Sequence, residues 1–253
     1  QIIALPDRNR DGVADERLTV FDDLRVSDSI AFYKGEMYVS EAHQVIRAID
    51  TDSDGFYDGR EVLIADLPWE AWHDTKAIVF DEQNEKLYVS VGSPCDLCRM
   101  EPSYQFKGGA TTDPLPFRAE RGTVLEFNAD GTGKRIFATG VRNVVGMDLH
   151  PLTNELWATN NGHDLEGRSR PPEWIDVLRD GDFQGYPFMQ SHHVWNDFSI
   201  DRYQRMLPIT HKDTLLAMTQ GPPAALVPAH WAPMRIHFYT GSQFPAIHRN
   251  AAF

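Results

Sequence analysis

One pattern recurs along this chain and limits its fold more than any other feature: two short runs of alternating apolar residues joined by a tight polar turn. Ser29-Ile-Ala-Phe-Tyr-Lys-Gly-Glu-Met-Tyr-Val-Ser40 alternates around a Lys-Gly turn. Ala77-Ile-Val-Phe-Asp-Glu-Gln-Asn-Glu-Lys-Leu-Tyr-Val-Ser90 repeats the pattern with Asp and Asn in the turn, and Gly146-Met-Asp-Leu-His-Pro-Leu-Thr-Asn-Glu-Leu-Trp-Ala-Thr159 repeats it again. A period of two sends alternate side chains to opposite faces of a sheet, and the turn residues fold the strand back on its neighbour, so each segment predicts a β-hairpin. Further strands are predicted at residues 45–49, 61–65, 123–127 and 134–138. Hairpins returning at intervals of roughly 50 residues or more, with almost no helical periodicity, predict an all-β chain folded as a β-propeller. A β-sandwich is the alternative, but it does not need one hairpin motif repeated three times. The hairpins account for about four blades in a single domain over residues 1–253, with residues 234–240 read as the start of another blade that Phe253 cuts off. The chain is therefore expected to be truncated at both ends.

Two segments interrupt the blades: residues 100–119, rich in Pro, Gly and Thr and read as a long loop, and residues 188–229, which carry His, Trp, Met and Pro without periodicity. Loops of such length commonly carry function or cover a surface. The formal charge of −13 argues against nucleic acid, which needs clustered Lys and Arg, and suits neutral ligands or divalent cations. No apolar run approaches the roughly 18 residues of a membrane span. No signal peptide precedes Gln1, which a cleaved signal or a truncated start would equally explain.

The only cysteines, Cys95 and Cys98, form a CxxC. Haem attachment needs His after the second Cys, where Arg99 stands; zinc needs further ligands at suitable spacing; a thioredoxin-like motif should open a helix, whereas this one follows a strand. A short-loop disulfide is the favoured reading, and it implies an oxidising compartment, periplasmic or secreted.

Two acidic turns resemble calcium loops. In residues 50–61, Asp50, Asp52 and Asp54 take the first ligand positions, Gly55 the sharp turn, Asp58 the ninth position and Glu61 the closing one. In the second copy Asp7, Asn9, Asp11 and Asp15 repeat the spacing, but Leu18 stands where the closing acid belongs. Either loop would bind calcium in a structural role; the alternative is that Asp, Asn and Gly simply make tight hairpin turns.

Three segments read together resemble the pyrroloquinoline-quinone glucose/sorbosone dehydrogenase family, most closely its sorbosone branch: His73-Asp-Thr-Lys-Ala-Ile-Val-Phe80, Gly140-Val-Arg-Asn-Val-Val-Gly-Met147, and Asn160-Asn-Gly-His-Asp164 followed by Pro171-Pro-Glu173. Supporting pieces are Ser93-Pro-Cys-Asp-Leu-Cys98, Gly181-Asp-Phe-Gln-Gly-Tyr-Pro187 and Phe238-Tyr-Thr-Gly-Ser-Gln-Phe-Pro245. The resemblance implies a six-bladed propeller, here incomplete, that binds pyrroloquinoline quinone and calcium at the mouth of its channel and oxidises a sugar for an electron acceptor, a quinone or a cytochrome. It implies that His73 is the general base at the sugar C1 hydroxyl, that Arg142 and Asn143 bind the cofactor, that the carbonyls of Gly162 and His163 hold its calcium, and that Asp164 and Glu173 orient the cofactor or its neighbours. Imidazole suits the base because its pKa lies near neutrality, and a guanidinium fork suits the carboxylates of the quinone.

The chain departs from the sorbosone branch at His163, usually Arg, at Arg168 and Ser169, usually acidic, and at Tyr186, usually Trp; Trp231 and Arg235 stand where smaller residues are typical. The family's last blade, with its basic cofactor-binding residues, lies beyond Phe253, and a second chain completing the ring is one partner this would allow. Two other readings stand beside the dehydrogenase: a non-catalytic propeller serving binding or assembly, and a calcium-dependent propeller hydrolase of the lactonase type.

Overall fold

The computed structural model describes residues 1–102, 106–107, 114–115 and 117–253, and in it each predicted hairpin pairs in register. Strands β1 (Ile2–Ala4) and β2 (Leu18–Phe21) form a two-stranded sheet. A four-stranded antiparallel blade follows, made of β3 (Ile30–Tyr33), β4 (Glu36–Ser40), β5 (Val45–Ile49) and β6 (Gly59–Ile64) in chain order. The second blade joins β7 (Ile78–Asp81) and β8 (Lys86–Val91) to later strands across an excursion in which β9 (Phe106–Lys107) pairs with β10 (Pro114–Leu115). Its outer strands are β11 (Thr123–Asn128) and β12 (Arg135–Thr139). The third blade is β13 (Val144–Leu149), β14 (Leu156–Asn160) and β15 (Glu173–Leu178). Before that blade closes, the chain forms the pair β16 (Met189–Gln190) and β17 (Val194–Trp195) and a helix α1 (His211–Ala217); β18 (Ala225–Val227) then adds the fourth strand.

β7 lies against both β3 and β13, so the first strands of the three blades stand side by side around the propeller axis. Strand alternation builds the interfaces between blades. Leu87, Val89 and Val91 of β8 and Leu125 and Phe127 of β11 face the first blade, where they join Tyr33, Tyr38 and Ile64. Tyr88 and Val124 on the same strands face the third blade, against Met147, Leu156, Ala158 and Trp174. Burying both faces of a sheet in this way keeps blades stacked without a closed barrel.

The fold is an all-β propeller with few helices, holding three full blades and the two-stranded β1–β2 sheet among the described residues, against the four or so expected. The loop expected over residues 100–119 lies in part outside the described residues. Two expectations are corrected. Residues 234–240 form no strand: only Phe238 makes a bridge, to Ala252. The reason is where its polar groups go, since Phe238 N donates to the Asp148 carboxylate while His237 and Phe253 exchange backbone hydrogen bonds. Residues 188–229 are not a plain loop either. They hold α1, opened by a capping box between Thr210 and Asp213, and build their own core from Phe188, Met189, Tyr203, Met206 and Ala217 packed on Leu97. No helix among the described residues is long and apolar enough to cross a membrane.

Candidate active site

His73 lies in the loop entering β7 and Ser93 in the loop leaving β8, so antiparallel pairing brings them to the same end of the second blade. His73 Nδ1 sits 2.7 Å from the Ser93 carbonyl oxygen and 3.1 Å from Ser93 Oγ. A carbonyl only accepts, and the Ser93 hydroxyl donates its proton to the Cys95 carbonyl at 2.8 Å, so both contacts require the proton on Nδ1. The lone pair is left on Nε2, which has no hydrogen-bond partner among the described residues yet is not sealed from solvent. Burial, and then the Arg142 cation, push His73 down from 6.5 to about 4, so the ring is a neutral base at pH 7.

Gly92 makes room for this arrangement. A Cβ there would stand 2.4 Å from His73 Cβ and 3.3 Å from Asn143 Oδ1, so one residue without a side chain separates the imidazole loop from the amide. The Ser93 N–H donates to the Arg142 carbonyl at 2.7 Å, which ties the end of β8 to the loop entering β13. His73, Arg142 and Asn143 thus come together at one end of the second blade.

The Arg142 side chain, however, faces protein carboxylates. Its Nη2 donates to Asp96 Oδ1 at 2.8 Å and Asp164 Oδ2 at 3.2 Å, its Nε to the Asp96 carbonyl at 3.0 Å, and its Nη1 to the Asn161 carbonyl at 3.3 Å. Of the five N–H groups of a guanidinium, one on Nη1 is left. Asp96 also accepts from the Tyr203 hydroxyl at 2.7 Å and from the Asp164 N–H at 3.1 Å. Burial would raise Asp96, but the Tyr203 hydroxyl and the Arg142 charge outweigh it and hold the carboxyl below its usual range. Cys95 and Cys98 on either side are joined in a disulfide, the favoured reading of the CxxC. The Tyr186 hydroxyl, buried and pushed up to about 12, lies 3.2 Å from the Cys98 N–H.

The loop after β14 completes the rim. The Gly162 N–H donates to Glu173 Oε2, and Glu173 Oε1 accepts from the His230 N–H at 3.1 Å. Burial raises Glu173 despite these two backbone donors, through which the acid fixes the loop. His163 Nε2 lies 2.9 Å from Glu166 Oε1, and its ring meets Tyr203 edge-on at 5.2 Å. Glu166 also accepts from Gln190 Nε2 at 2.7 Å and the Asp197 N–H at 2.6 Å; burial would raise it, but His163 and these donors bring it down to about 2. Among the described residues no hydrogen bond reaches the carbonyl oxygens of Gly162 and His163, and the side-chain oxygens of Asn143 and Asn161 are buried without a partner. A cavity of about 20 Å³ lies behind this loop, lined by Arg142, Asn160, Gly162, His163 and Tyr186. A cleft of about 620 Å³ lies elsewhere, where Tyr33, Arg47, Glu85 and Asp130 line the far side of the first two blades.

The acidic turns stand apart. Asp50, Asp52 and Asp54 each bring an oxygen within 4.8 Å of the others. Asp58 and Glu61 do not join them: Asp58 accepts from Thr51 N and Oγ1, and Glu61 pairs with Arg47 at 2.7 Å. In the second loop Asp7 accepts from the Asp11 and Gly12 N–H groups, Asn9 from the Asp11 N–H, Asp11 from the Val13 N–H and Asp15 from the Arg8 N–H.

Gly92, Ser93, Asp96, Tyr203 and Glu166 were not among the expected site residues. Asp96 was visible between the two cysteines, but spacing alone gives no sign that it meets a guanidinium from the next blade.

The family model described as "Glucose / Sorbosone dehydrogenase" matches residues 31–253. An uncharacterized protein of Borreliella burgdorferi is 27% identical, over 93% of this chain and 58% of its own length. Among solved structures, the "Holo form of Pyranose Dehydrogenase PQQ domain" from Coprinopsis cinerea superposes with a TM-score of 0.68 at 17% identity, over 93% of this chain and 62% of that one. A calcium structure of a Trichoderma reesei carbohydrate-active enzyme of family AA12 gives 0.69 at 17% identity, over 94% and 65%. The soluble aldose sugar dehydrogenase of Escherichia coli, in its apo-form, gives 0.51 at 18%, over 87% and 57%. The chain spans about three-fifths of the length of these relatives.

Proposed function

Because the chain belongs to the glucose/sorbosone dehydrogenase family, we propose that it is the base-bearing part of a sugar oxidoreductase that passes hydride from an aldose, or a related aldehyde hydrate, to pyrroloquinoline quinone. The observation that carries this reading is the fixed tautomer of His73: a neutral imidazole with its proton locked on Nδ1 by Ser93 and a free lone pair on Nε2. Nε2 accepts the proton of the C1 hydroxyl as C1 gives up hydride, so an aldose leaves as its lactone.

The residues present fit a cation and one edge of a quinone. The unpaired carbonyls of Gly162 and His163 and the orphaned amide oxygen of Asn143 are hard oxygen donors of the kind calcium takes. When bound, the quinone supplies a carbonyl that accepts two electrons, made more electrophilic by the cation. Asn143 would meet it through its amide, and Arg142 through its remaining Nη1 proton. Because Arg142 is already paired with Asp96 and Asp164, it would have only that one N–H to give the cofactor's carboxylates. Asp164 and Glu173 act here on Arg142 and on the Gly162 and His230 N–H groups, holding the rim in place. The Cys95–Cys98 disulfide suits a periplasmic or secreted protein, and a quinone or cytochrome would take up the electrons.

The test is reconstitution of the full-length protein with calcium and pyrroloquinoline quinone, followed by reduction of an artificial acceptor on addition of aldoses. Absorbance titration showing no cofactor uptake would reject the reading. Uptake together with sugar-dependent reduction, with the reduction abolished by His73→Gln, supports it.

A further inference from the structure

Two tryptophans in the loop before β7 are treated in opposite ways. Trp69 is anchored: the Arg25 guanidinium lies 4.8 Å over its ring, the His43 ring is 5.7 Å away, and its carbonyl accepts from Arg121 at 2.8 Å. Trp72 is 49% exposed, and its described ring contact is the Arg202 guanidinium at 5.8 Å. A loose loop does not explain the exposure. The Asp74 carboxylate accepts from the Glu70 N–H at 3.0 Å and the Ala71 N–H at 3.1 Å, and Ala71 packs on the Cys95–Cys98 disulfide. A braced loop that leaves half of an indole exposed keeps apolar surface open to a ligand.

Both members of the pair are chain neighbours of site groups. Trp72 precedes His73. Arg202 precedes Tyr203, which is fully buried and hydrogen-bonded to Asp96, the partner of Arg142. The pair therefore spans two segments that the site itself holds in place, the loop before β7 and the insert between β15 and β18. Of the two chain neighbours Trp72 is exposed and His73 half-buried.

We propose that Trp72 and Arg202 form a platform for a pyranose ring at the entrance, taking the second unit of an aldose-terminated disaccharide. The electron-rich indole face attracts the polarised C–H groups on one face of a pyranose, and the guanidinium both holds the ring and offers N–H donors to the sugar hydroxyls. The proposal rests on the dehydrogenase reading only for the identity of the unit bound deeper in the site.

The test is binding of glucose and cellobiose to the full-length protein, read by saturation-transfer NMR and calorimetry without turnover, then repeated as oxidation of both sugars. Cellobiose is expected to bind about tenfold more tightly than glucose. Trp72→Ala should abolish that preference and Arg202→Ala should reduce it about threefold. Trp231→Ala, which removes a 72% exposed tryptophan outside the platform, should leave the preference intact. An unmodified protein without the preference, or a Trp72→Ala protein that keeps it, overturns the proposal. If the preference behaves as expected while no aldose is oxidised, the dehydrogenase reading fails and the platform stands. Oxidation of both sugars with no preference between them removes the platform and leaves the dehydrogenase reading in place.

Discussion

Carboxylates gather in two regions of this chain, the rim of the second and third blades and the acidic turns, and they do so by opposite means. At the rim, the Asp96 and Glu166 carboxylates are buried and reach across the chain: Arg142 and Tyr203 for Asp96, and for Glu166 Gln190 and Asp197 besides its near neighbours His163 and Arg170. In the turns, Asp54 and Asp11 are exposed, Asp50 and Asp7 half-buried, and all four accept from backbone N–H groups a few residues away. A local Asx turn costs little and fixes little. A buried charge paired across blades is strongly unfavourable unless every partner is present, so it fixes the relative placement of the segments that supply them. The rim is therefore a site that folding has to assemble, whereas the turns are finished locally.

The contrast is tested first, and with the largest expected effect, at His73. His73→Gln removes the lone pair on Nε2 and should lower kcat by about 10²–10⁴-fold, with thermal unfolding little changed, because the Gln side chain can still donate toward the Ser93 carbonyl. A matched loss of melting temperature would show that the ring serves stability instead. Next is Asp96→Asn, which leaves the buried Arg142 guanidinium short of a counter-charge and should cost about 3 kcal/mol, measured by denaturant unfolding. An unchanged midpoint would mean that the rim is no more demanding than the turns.

Acidity probes the same region more gently. His73 is held down at about 4 against 6.5 when unfolded, so the unfolded chain takes up its proton first as pH falls. Stability from this group is complete above about 6.5, is lost as pH falls below it, and levels off below about 4. The acid limb of turnover should likewise lie near 4, and a limb near 6.5 in kcat/KM would show a water-exposed imidazole.

The blades were legible because their information is local: alternation and turn residues state a hairpin within a dozen positions, and β4, β5, β8 and β13 fall where the alternation puts them. The helix α1 was missed because seven residues are too few to display a period of 3.6, although Thr210 and Asp213 carried its capping signal. Residues 234–240 alternate like a strand but make only the single bridge from Phe238 to Ala252, and alternation reports only which side chains share a face. At the candidate site, His73, Arg142 and Asn143 were named through family resemblance. Their supports were not, because Asp96, Tyr203 and Glu166 act through partners far away in sequence. Gly92 is a position whose role is to lack a side chain, and that becomes visible only when His73 and Asn143 are placed on either side of it.

The smallest expected effect lies in the acidic turns. Asp52 accepts one long contact, 3.2 Å from the Asp54 N–H, and has the carboxylates of Asp50 and Asp54 for neighbours. Asp52→Asn keeps an oxygen for that N–H and relieves repulsion between like charges, so without calcium it should move stability by no more than about 0.5 kcal/mol in either direction. If the turn holds calcium, as the spacing of its acids predicts, millimolar ion reverses the sign of that argument, because carboxylates that repel one another in its absence would become its ligands. The measurement is the melting temperature of the unmodified and Asp52→Asn proteins with and without the ion. Equal calcium responses in the two proteins would reduce residues 50–61 to a turn. A calcium-free loss as large as that of Asp96→Asn would remove the distinction between carboxylates that join distant segments and carboxylates that only close a loop.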